Sequence, residues 1–430
     1  MTRSTIYAVA TGGFRAAIAV LRVSGPESSE ILTKMVGNLP PPRVASLRRI
    51  NGADGLPADR GLVLWLPGPR SYTGEDAAEL HIHGGRAVLL AVSQALEAAG
   101  ARQAEPGEFT RRAFLNGRMD LLEAEGVADL VAAETDAQRR QALRQLEGAQ
   151  SRELAGWAER LRRLLAWQEA LIDFPDEDLP VTVEASLLND LAVLRIELDG
   201  AVRDAGRGAK LRDGLVFAVT GAPNVGKSSL VNALARREIA IVSDTPGTTR
   251  DALEVMLELG GVPVTLVDTA GLRETSDPVE AEGVRRARAR AASADLIIRV
   301  FDARDGGAAD GVSAEPGVLL VANKIDLASS VAEACCVSAA TSEGLDRLEK
   351  ELADRAKALA LPGGPVLTRA RHITALREAA LALAAAQDLP VPELRGEELR
   401  LAMRALGRIT GAIGVEDVLD TVFSAFCIGK

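Results

Sequence analysis

Cysteine, histidine and aromatic residues are scarce in this chain of 430 residues, and it has no excess of positive charge; each lack excludes something. The three cysteines, Cys335, Cys336 and Cys427, are too few for a disulfide framework, and the adjacent pair cannot readily bridge itself. A reducing cytoplasm is the expected setting. Three histidines supply little for a metal centre, and His81 and His83 at a strand end are read as structural. Aromatics are 3% of the chain while hydrophobic residues are 47%, so cores must be built from Leu, Val, Ile and Ala. A formal net charge of −10 argues against a charge-driven nucleic-acid binder and leaves room only for a local basic patch. The sequence has no stretch of 18 apolar residues and no signal-peptide pattern, so a soluble protein with no membrane association is expected.

What is present is organised by period. A chain of this length needs two or three domains. Up to residue 117 short apolar runs alternate with turns. "AIAVLRV", "GLVLWL" and "AAELHIH" predict strands, and "RAVLLAVSQALEAAG" predicts a helix ending at Gly100. From 118 the period becomes helical. Leu154, Trp157, Leu161, Leu164, Gln168 and Leu171 make one stripe, and Leu187, Leu191, Leu194, Leu198 and Val202 another. After "GRGAK" strands alternate with helices until "LPGGP", and a last helical stripe runs through Val415, Val418, Val422 and Phe426. The expected architecture is multidomain α/β plus α. It comprises an N-terminal α/β domain (1–117), a discontinuous helical bundle (118–209 and 361–430) and a strand-rich domain inserted into that bundle (210–360).

The insert carries nucleotide chemistry. "GAPNVGKSS" fits G-x-x-x-x-G-K-[ST] after a strand and before a helix, so its backbone N–H groups face phosphates. Lys227 is placed at the β- and γ-phosphates and Ser228 at Mg²⁺. "VDTAG" ends a strand at Asp268, the expected partner of that Mg²⁺, followed by Thr269, Ala270 and Gly271. "GTTRD" stands between the two motifs, and Thr249 there is a second Mg²⁺ ligand. "NKID" offers Asn323, Lys324 and Asp326, whose carboxylate pairs with the N1–H and 2-amino edge of guanine and rejects adenine. Ser338, Ala339 and Ala340 lie near the base. Asn224, Val225, Gly226, Ser229, Ser243, Asp244, Thr245, Pro246, Gly247 and Thr248 complete the expected GTP-contacting set.

One position is missing. The residue after "DTAG" is Leu272, where Ras-like proteins use a Gln to orient water. Arg250 is either an internal arginine finger or a solvated switch residue. Glu280 is either a water-orienting carboxylate or an inert surface residue. Asn224 either faces a monovalent cation in the phosphate loop, with the carbonyls of Ser243 and Thr245 beside it, or satisfies its own turn.

These motifs, with "LRVSG", "SYTGED", "HIHGG", "PGEFTRRAFLNGRMDLLEAEGVADL", "IDFPDEDLP" and the terminal "CIGK", resemble the MnmE (TrmE) family of tRNA uridine-34 modification GTPases across the whole chain. The resemblance implies an N-terminal folate-binding and dimerising domain, and K⁺-stimulated GTP hydrolysis in a homodimer. It places Asn224, Ser243, Thr245 and Thr248 at the K⁺ site and Glu280 at the water-positioning carboxylate, with Arg250 as the switch arginine. It puts Arg22, Glu79, Arg118 and Lys430 on 5-formyltetrahydrofolate or a related tetrahydrofolate; Arg118 stands where Lys is more usual. It implies a heterotetramer with the FAD-dependent MnmG (GidA), adding a carboxymethylaminomethyl or aminomethyl group to uridine C5 of tRNA. A ribosome-assembly GTPase switch is the competing reading. Such proteins usually carry a separate RNA-binding module or basic tail, and this chain has neither.

Overall fold

The computed structural model describes residues 4–12, 16–173, 181–237, 254–269, 289, 291–305, 317–328, 334–360, 367–412, 419, 422–423, 426 and 429. The chain divides into two compact units. One comprises Met1–Ala128, Gln145–Ala155 and Leu406–Lys430; the other comprises Asp129–Arg144 and Gly156–Ala405.

The first unit is built on a six-stranded sheet of order β3-β4-β5-β2-β1-β6. Its strands are β1 (Ile6–Val9), β2 (Ile18–Ser24), β3 (Ser46–Asn51), β4 (Pro57–Leu66), β5 (Ala77–His83) and β6 (Arg102–Gln103). Alternation in β2 sends Ala19, Leu21 and Val23 into a core shared with Leu80 and Ile82 of β5. Helices α1 (Ser28–Val36) and α2 (Arg86–Ala98) cover that face with Ile31, Leu32, Val92 and Leu96. The predicted helix ends as expected, with Ala99 as cap and Gly100 at φ +111°. On the opposite face α3 (Glu108–Leu115) brings Phe109 against Ile6 and Ala8, joined by Tyr72 from the β4–β5 loop. The start of α3 meets the C-terminal residues closely. A Cβ on Gly107, at φ +68°, would stand 2.5 Å from the Phe423 carbonyl oxygen, so only glycine fits.

The helical segments are α4 (Leu121–Ala132), α5 (Asp136–Leu146), α6 (Ala149–Asp173) and α7 (Val181–Asp213). After the second sheet come α9 (Leu345–Ala360), α10 (Ala370–Asp388) and α11 (Pro392–Thr410). The second sequence stripe is the buried seam of α7: Leu187, Leu191, Leu194 and Leu198 are fully buried. α7 packs along α10, which contributes Leu376, Ala379, Leu383 and Ala386. Each such leucine contributes about 2 kcal/mol of burial. "GRGAK" is helical throughout. α7 passes through Gly206 and Gly208 to Asp213, with Gln141 donating to the Gly208 carbonyl, so packing overrides the low helix propensity of glycine.

The second unit contains the other sheet, of order β12-β11-β10-β7-β9-β8. Its strands are β7 (Leu215–Thr220), β8 (Glu254–Leu259), β9 (Val262–Asp268), β10 (Leu296–Asp302), β11 (Val318–Asn323) and β12 (Cys335–Cys336). All neighbours are parallel except the β8–β9 hairpin. Strands buried on both faces explain the near-continuous apolar runs. Strand order reverses at β7, whose neighbours β9 and β10 lie on opposite sides, and α8 (Lys227–Ala235) follows it. In open parallel sheets that reversal point is where ligands bind.

Candidate functional site

The loop after β7 turns on two glycines that no other residue replaces. A Cβ on Gly221, at φ +141°, would lie 2.0 Å from the Val300 carbonyl oxygen. One on Gly226, at φ +95°, would lie 2.3 Å from Asn323 Nδ2. Asn224 between them is also left-handed, at φ +65°, and its side chain is exposed. The loop therefore wraps tightly and leads into the N-terminus of α8, where unpaired N–H groups favour an anion. Lys227 is buried, with Nζ donating to the carbonyls of Gly221 at 2.8 Å and Ala222 at 2.7 Å. An ammonium has three donors, so two hold the loop and one remains for a phosphate oxygen. Ser228 Oγ donates to Asp268 Oδ2 at the end of β9. Two oxygen ligands thus converge beside the phosphate loop, a donor set that fits Mg²⁺. Thr269 Oγ1 donates to the Val219 carbonyl at 2.7 Å and ties this strand end to β7.

The base-side residues form a second cluster. Buried Asn323 bridges two loops: Nδ2 donates to the Val225 carbonyl at 2.9 Å, and Oδ1 accepts from the Ala339 N–H at 3.0 Å. Asp326 is exposed in a 3₁₀ turn (Ile325–Leu327), but its Oδ1 is held by Ser338 Oγ at 2.6 Å, and Ser338 is fully buried. Lys324, left-handed at φ +68°, donates to the Asn224 carbonyl at 2.7 Å. Thus Asn224 to Ser228, Asp268, Thr269, Asn323, Lys324, Asp326, Ser338 and Ala339 come together at the carboxyl ends of β7, β9 and β11. Ser229 stands exposed in the first turn of α8, and Ala340 follows Ala339. Ser243, Asp244, Thr245, Pro246, Gly247, Thr248, Thr249, Arg250, Ala270, Gly271, Leu272 and Glu280 lie outside the described residues, as do Cys427 and Lys430.

Sequence reasoning missed Asp302, the last residue of β10. It is buried and accepts from Lys324 Nζ at 3.0 Å and from Arg304 Nη2 at 2.6 Å. Hydrogen bonds from the Arg304 guanidinium, then from the Arg304 backbone N–H and from Lys324, outweigh burial and hold its carboxyl well below the usual carboxylate range. The signal was a strand ending in Asp, but Lys324, the partner that links it to the phosphate loop, lies 22 residues on. Asp302 positions Lys324, which in turn holds the phosphate loop. We expect Asp302→Ala to weaken GDP and GTP binding about 10-fold, the scale of one charged hydrogen bond, with kcat at saturating GTP little changed. Asp302→Asn should fall between that variant and the parent chain. Fluorescent-nucleotide titration with a kcat measurement checks it.

The first unit holds the other candidate residues. Arg22 on β2 and Glu79 on β5 are directly opposed, with Nε and Nη2 of Arg22 at 3.2 and 3.0 Å from Glu79 Oε1. The guanidinium lies 5.3 Å from the Tyr72 ring centroid and 5.9 Å from that of Phe109, within cation–π range. His81 Nε2 approaches Glu79 Oε2 at 3.4 Å, and His83 Nδ1 lies 2.9 Å from Asp59. Arg118 is exposed beside Gly74, where a Cβ would meet its Cγ at 3.1 Å. The same loop is fixed to β2, since Ser24 Oγ and Thr73 Oγ1 are 2.7 Å apart. Gly429 packs against the backbone of Val9 and Ala10, next to β2 in the sheet. A half-buried carboxylate, a guanidinium and two aromatic rings on one sheet face suit a flat heterocycle with an amino-pyrimidinone edge.

Comparison with known proteins agrees over both units. The family model described as "GTP-binding protein TrmE N-terminus" matches residues 5–118, and that described as "MnmE helical domain" matches residues 121–427. A protein of Gluconacetobacter diazotrophicus named tRNA modification GTPase MnmE is 60% identical over 432 residues, covering 99% of this chain and 98% of its own length. Proteins of the same name from Granulibacter bethesdensis and Rhodospirillum rubrum are 54% and 53% identical, each covering 100% of both chains. Among solved structures, the G domain of the T. maritima FeoB iron transporter is 26% identical with a TM-score of 0.22. It covers 33% of this chain and 98% of that one.

Proposed function

This chain belongs to the MnmE family of tRNA modification GTPases, and we propose that it hydrolyses GTP at the carboxyl ends of β7, β9 and β11 in support of folate-dependent modification of the tRNA wobble uridine. The observation that carries the GTP site is the convergence of Lys227, Ser228 and Asp268 with Asn323, Lys324 and Asp326 at the sheet's reversal point. Lys227 and the α8 N-terminus bind the β- and γ-phosphates. Asp326, aimed by Ser338, selects guanine by offering a fixed pair of acceptors that adenine has no matching donors to meet. Ser228, Asp268 and Thr249 would hold Mg²⁺, which when bound neutralises charge developing on the phosphates. The exposed side chain of Asn224 suits K⁺, with Ser243, Thr245 and Thr248 as its other ligands. Glu280 orients the water in place of the absent glutamine. Arg250 is the arginine of the first switch.

The three-part division at residues 117, 209 and 361 belongs to the same reading, as do the homodimer, the heterotetramer with MnmG and the cytoplasmic setting. No described helix is long and apolar enough to cross a membrane. Arg22, Glu79, Arg118 and Lys430 would bind the tetrahydrofolate, Glu79 meeting the pterin's donor edge.

Three measurements test this together. GTP hydrolysis should run much faster in KCl than in NaCl, and Glu280→Ala should bind GTP normally while losing roughly 10²-fold or more in turnover. Equal rates in both salts, or unchanged turnover, would remove the cation and the carboxylate from the mechanism. 5-formyltetrahydrofolate should bind saturably and lose affinity in Glu79→Gln; no saturable binding by folded protein would remove the folate assignment.

A further inference from the structure

A cavity of about 130 Å³ opens between α6 and α7, lined by Arg160, Arg163, Leu164, Trp167 and Asp190. Nothing in the GTP or folate chemistry uses it. Trp167 is 43% exposed, whereas Trp65 and Trp157 are each 7% exposed. The buried seam of α6 runs through Leu161, Leu164 and Gln168, so the indole at 167 stands beside the seam with a face open to solvent.

The charges around it are mostly spoken for. Arg160 is paired with Glu197 at 2.6 Å, and Arg162 with Glu159. Among the described residues this leaves Arg163 and Asp190 without partners. They line one cavity yet are not paired with each other. A ligand satisfying all three groups needs a flat aromatic system for the indole, an anion for the guanidinium, and N–H donors for the carboxylate. A nucleotide supplies each: a base to stack, a phosphate, and an exocyclic or ring N–H.

We propose that this cavity is a stacking contact for one nucleotide of an unpaired RNA segment. Trp167 is the platform, Arg163 takes the backbone phosphate, and Asp190 accepts from the base edge. A single stacked base with one phosphate contact also suits a chain of net charge −10, a balance that argues against broad electrostatic capture of RNA. The inference rests on the reading that tRNA is the substrate, and it names where an unpaired part of that RNA touches the chain.

The test titrates the full chain with an unmodified tRNA transcript, a short unpaired oligoribonucleotide, a blunt RNA duplex and the four nucleoside monophosphates. The tRNA and the unpaired oligomer should quench tryptophan fluorescence, because Trp167 is the exposed indole; Trp167→Phe should bind nearly as well with the quench lost. Trp167→Ala should bind about 10-fold more weakly, with its thermal midpoint near that of the parent chain as evidence of folding. Arg163→Gln should lower the slope of log affinity against log salt by about 0.7. Wild-type affinity in both Trp167→Ala and Arg163→Gln would overturn the site while leaving the tRNA reading intact. Monophosphates binding as tightly as the oligomer would convert it into a small-nucleotide site and overturn the RNA assignment. Equal binding of the duplex would also overturn it. No binding of any RNA at low salt by protein that still hydrolyses GTP would strike both this site and the tRNA reading.

Discussion

Asp326→Asn should lower affinity for GTP and GDP by about two orders of magnitude and raise affinity for xanthosine nucleotides. Guanine presents two adjacent donors, N1–H and the 2-amino group, and a carboxylate accepts both. An amide offers one acceptor and one donor, so one guanine donor then faces an N–H. Losing a charged hydrogen bond and leaving a donor unmatched together cost about 3 kcal/mol, which is the stated factor. Xanthine has a carbonyl where guanine has its amino group, and that carbonyl can accept from the Asn amide. Ser338 makes the prediction sharper. Its hydroxyl holds Asp326 Oδ1 at 2.6 Å from a fully buried position, so the side chain enters the site already aimed. Ser338→Ala should therefore weaken guanine binding while leaving the preference for guanine over xanthine unchanged, because it removes aim and not the acceptor pair. Competition titrations with GDP and XDP on both variants separate the two roles. An Asp326→Asn variant that kept its guanine preference would place base recognition elsewhere.

Much of this site could be read from the sequence because its parts are local. A glycine-rich turn between a strand and a helix, and a strand ending in Asn-Lys-x-Asp, state their chemistry within a few residues each. The stripes of α6 and α7 were equally legible, since a helical period records which face is buried. A period does not record what the buried face meets. Asp302 looked like any strand-ending acid because its partner Lys324 lies beyond another strand. Tyr72 and Phe109, which flank Arg22, come from a loop and a helix far apart in the chain, and only the folded sheet brings them to one guanidinium. The period changes after "GRGAK", yet a packed neighbour holds α7 through these glycines to Asp213.

The least legible feature has the largest expected effect on stability. Arg112 lay unremarked within a stretch quoted only for its family resemblance, yet it is buried with 8% exposure and binds three groups. Its Nη1 donates to Glu75 Oε2 at 3.0 Å; Nη2 donates to the Ser4 carbonyl at 2.9 Å and to Glu108 Oε1 at 2.8 Å. Glu75 in turn accepts from Ser24 of β2 at 3.0 Å. One guanidinium thus ties α3 and the β4–β5 loop to the sheet. Arg112→Ala would take the guanidinium away from two largely buried carboxylates, Glu75 and Glu108, whose side chains are 9% and 12% exposed, leaving Glu75 with the Ser24 hydroxyl and Glu108 with Arg102 and the Glu105 N–H, at a cost of roughly 3 kcal/mol. Removing charge from both sides should be milder, so Arg112→Met with Glu75→Gln should recover part of the loss. The pH dependence fixes the cause. Burial alone would raise the Glu108 carboxyl, but hydrogen bonds from Arg102, from the Glu105 N–H and from Arg112 outweigh it and hold the group below its usual value. A carboxyl lowered by folding stabilises above its unfolded pKa of ~4.3 and loses that contribution as pH falls through the lowered value. Without Arg112 the lowering shrinks. The gap between parent and Arg112→Ala should then be widest near neutral pH and should narrow as acid protonates Glu108. Urea unfolding at a series of pH values, with hydrogen exchange at the β2 and β5 amides to localise the loss, reads both the size and the sign. A gap independent of pH would mean that Arg112 acts by filling space and not by neutralising charge.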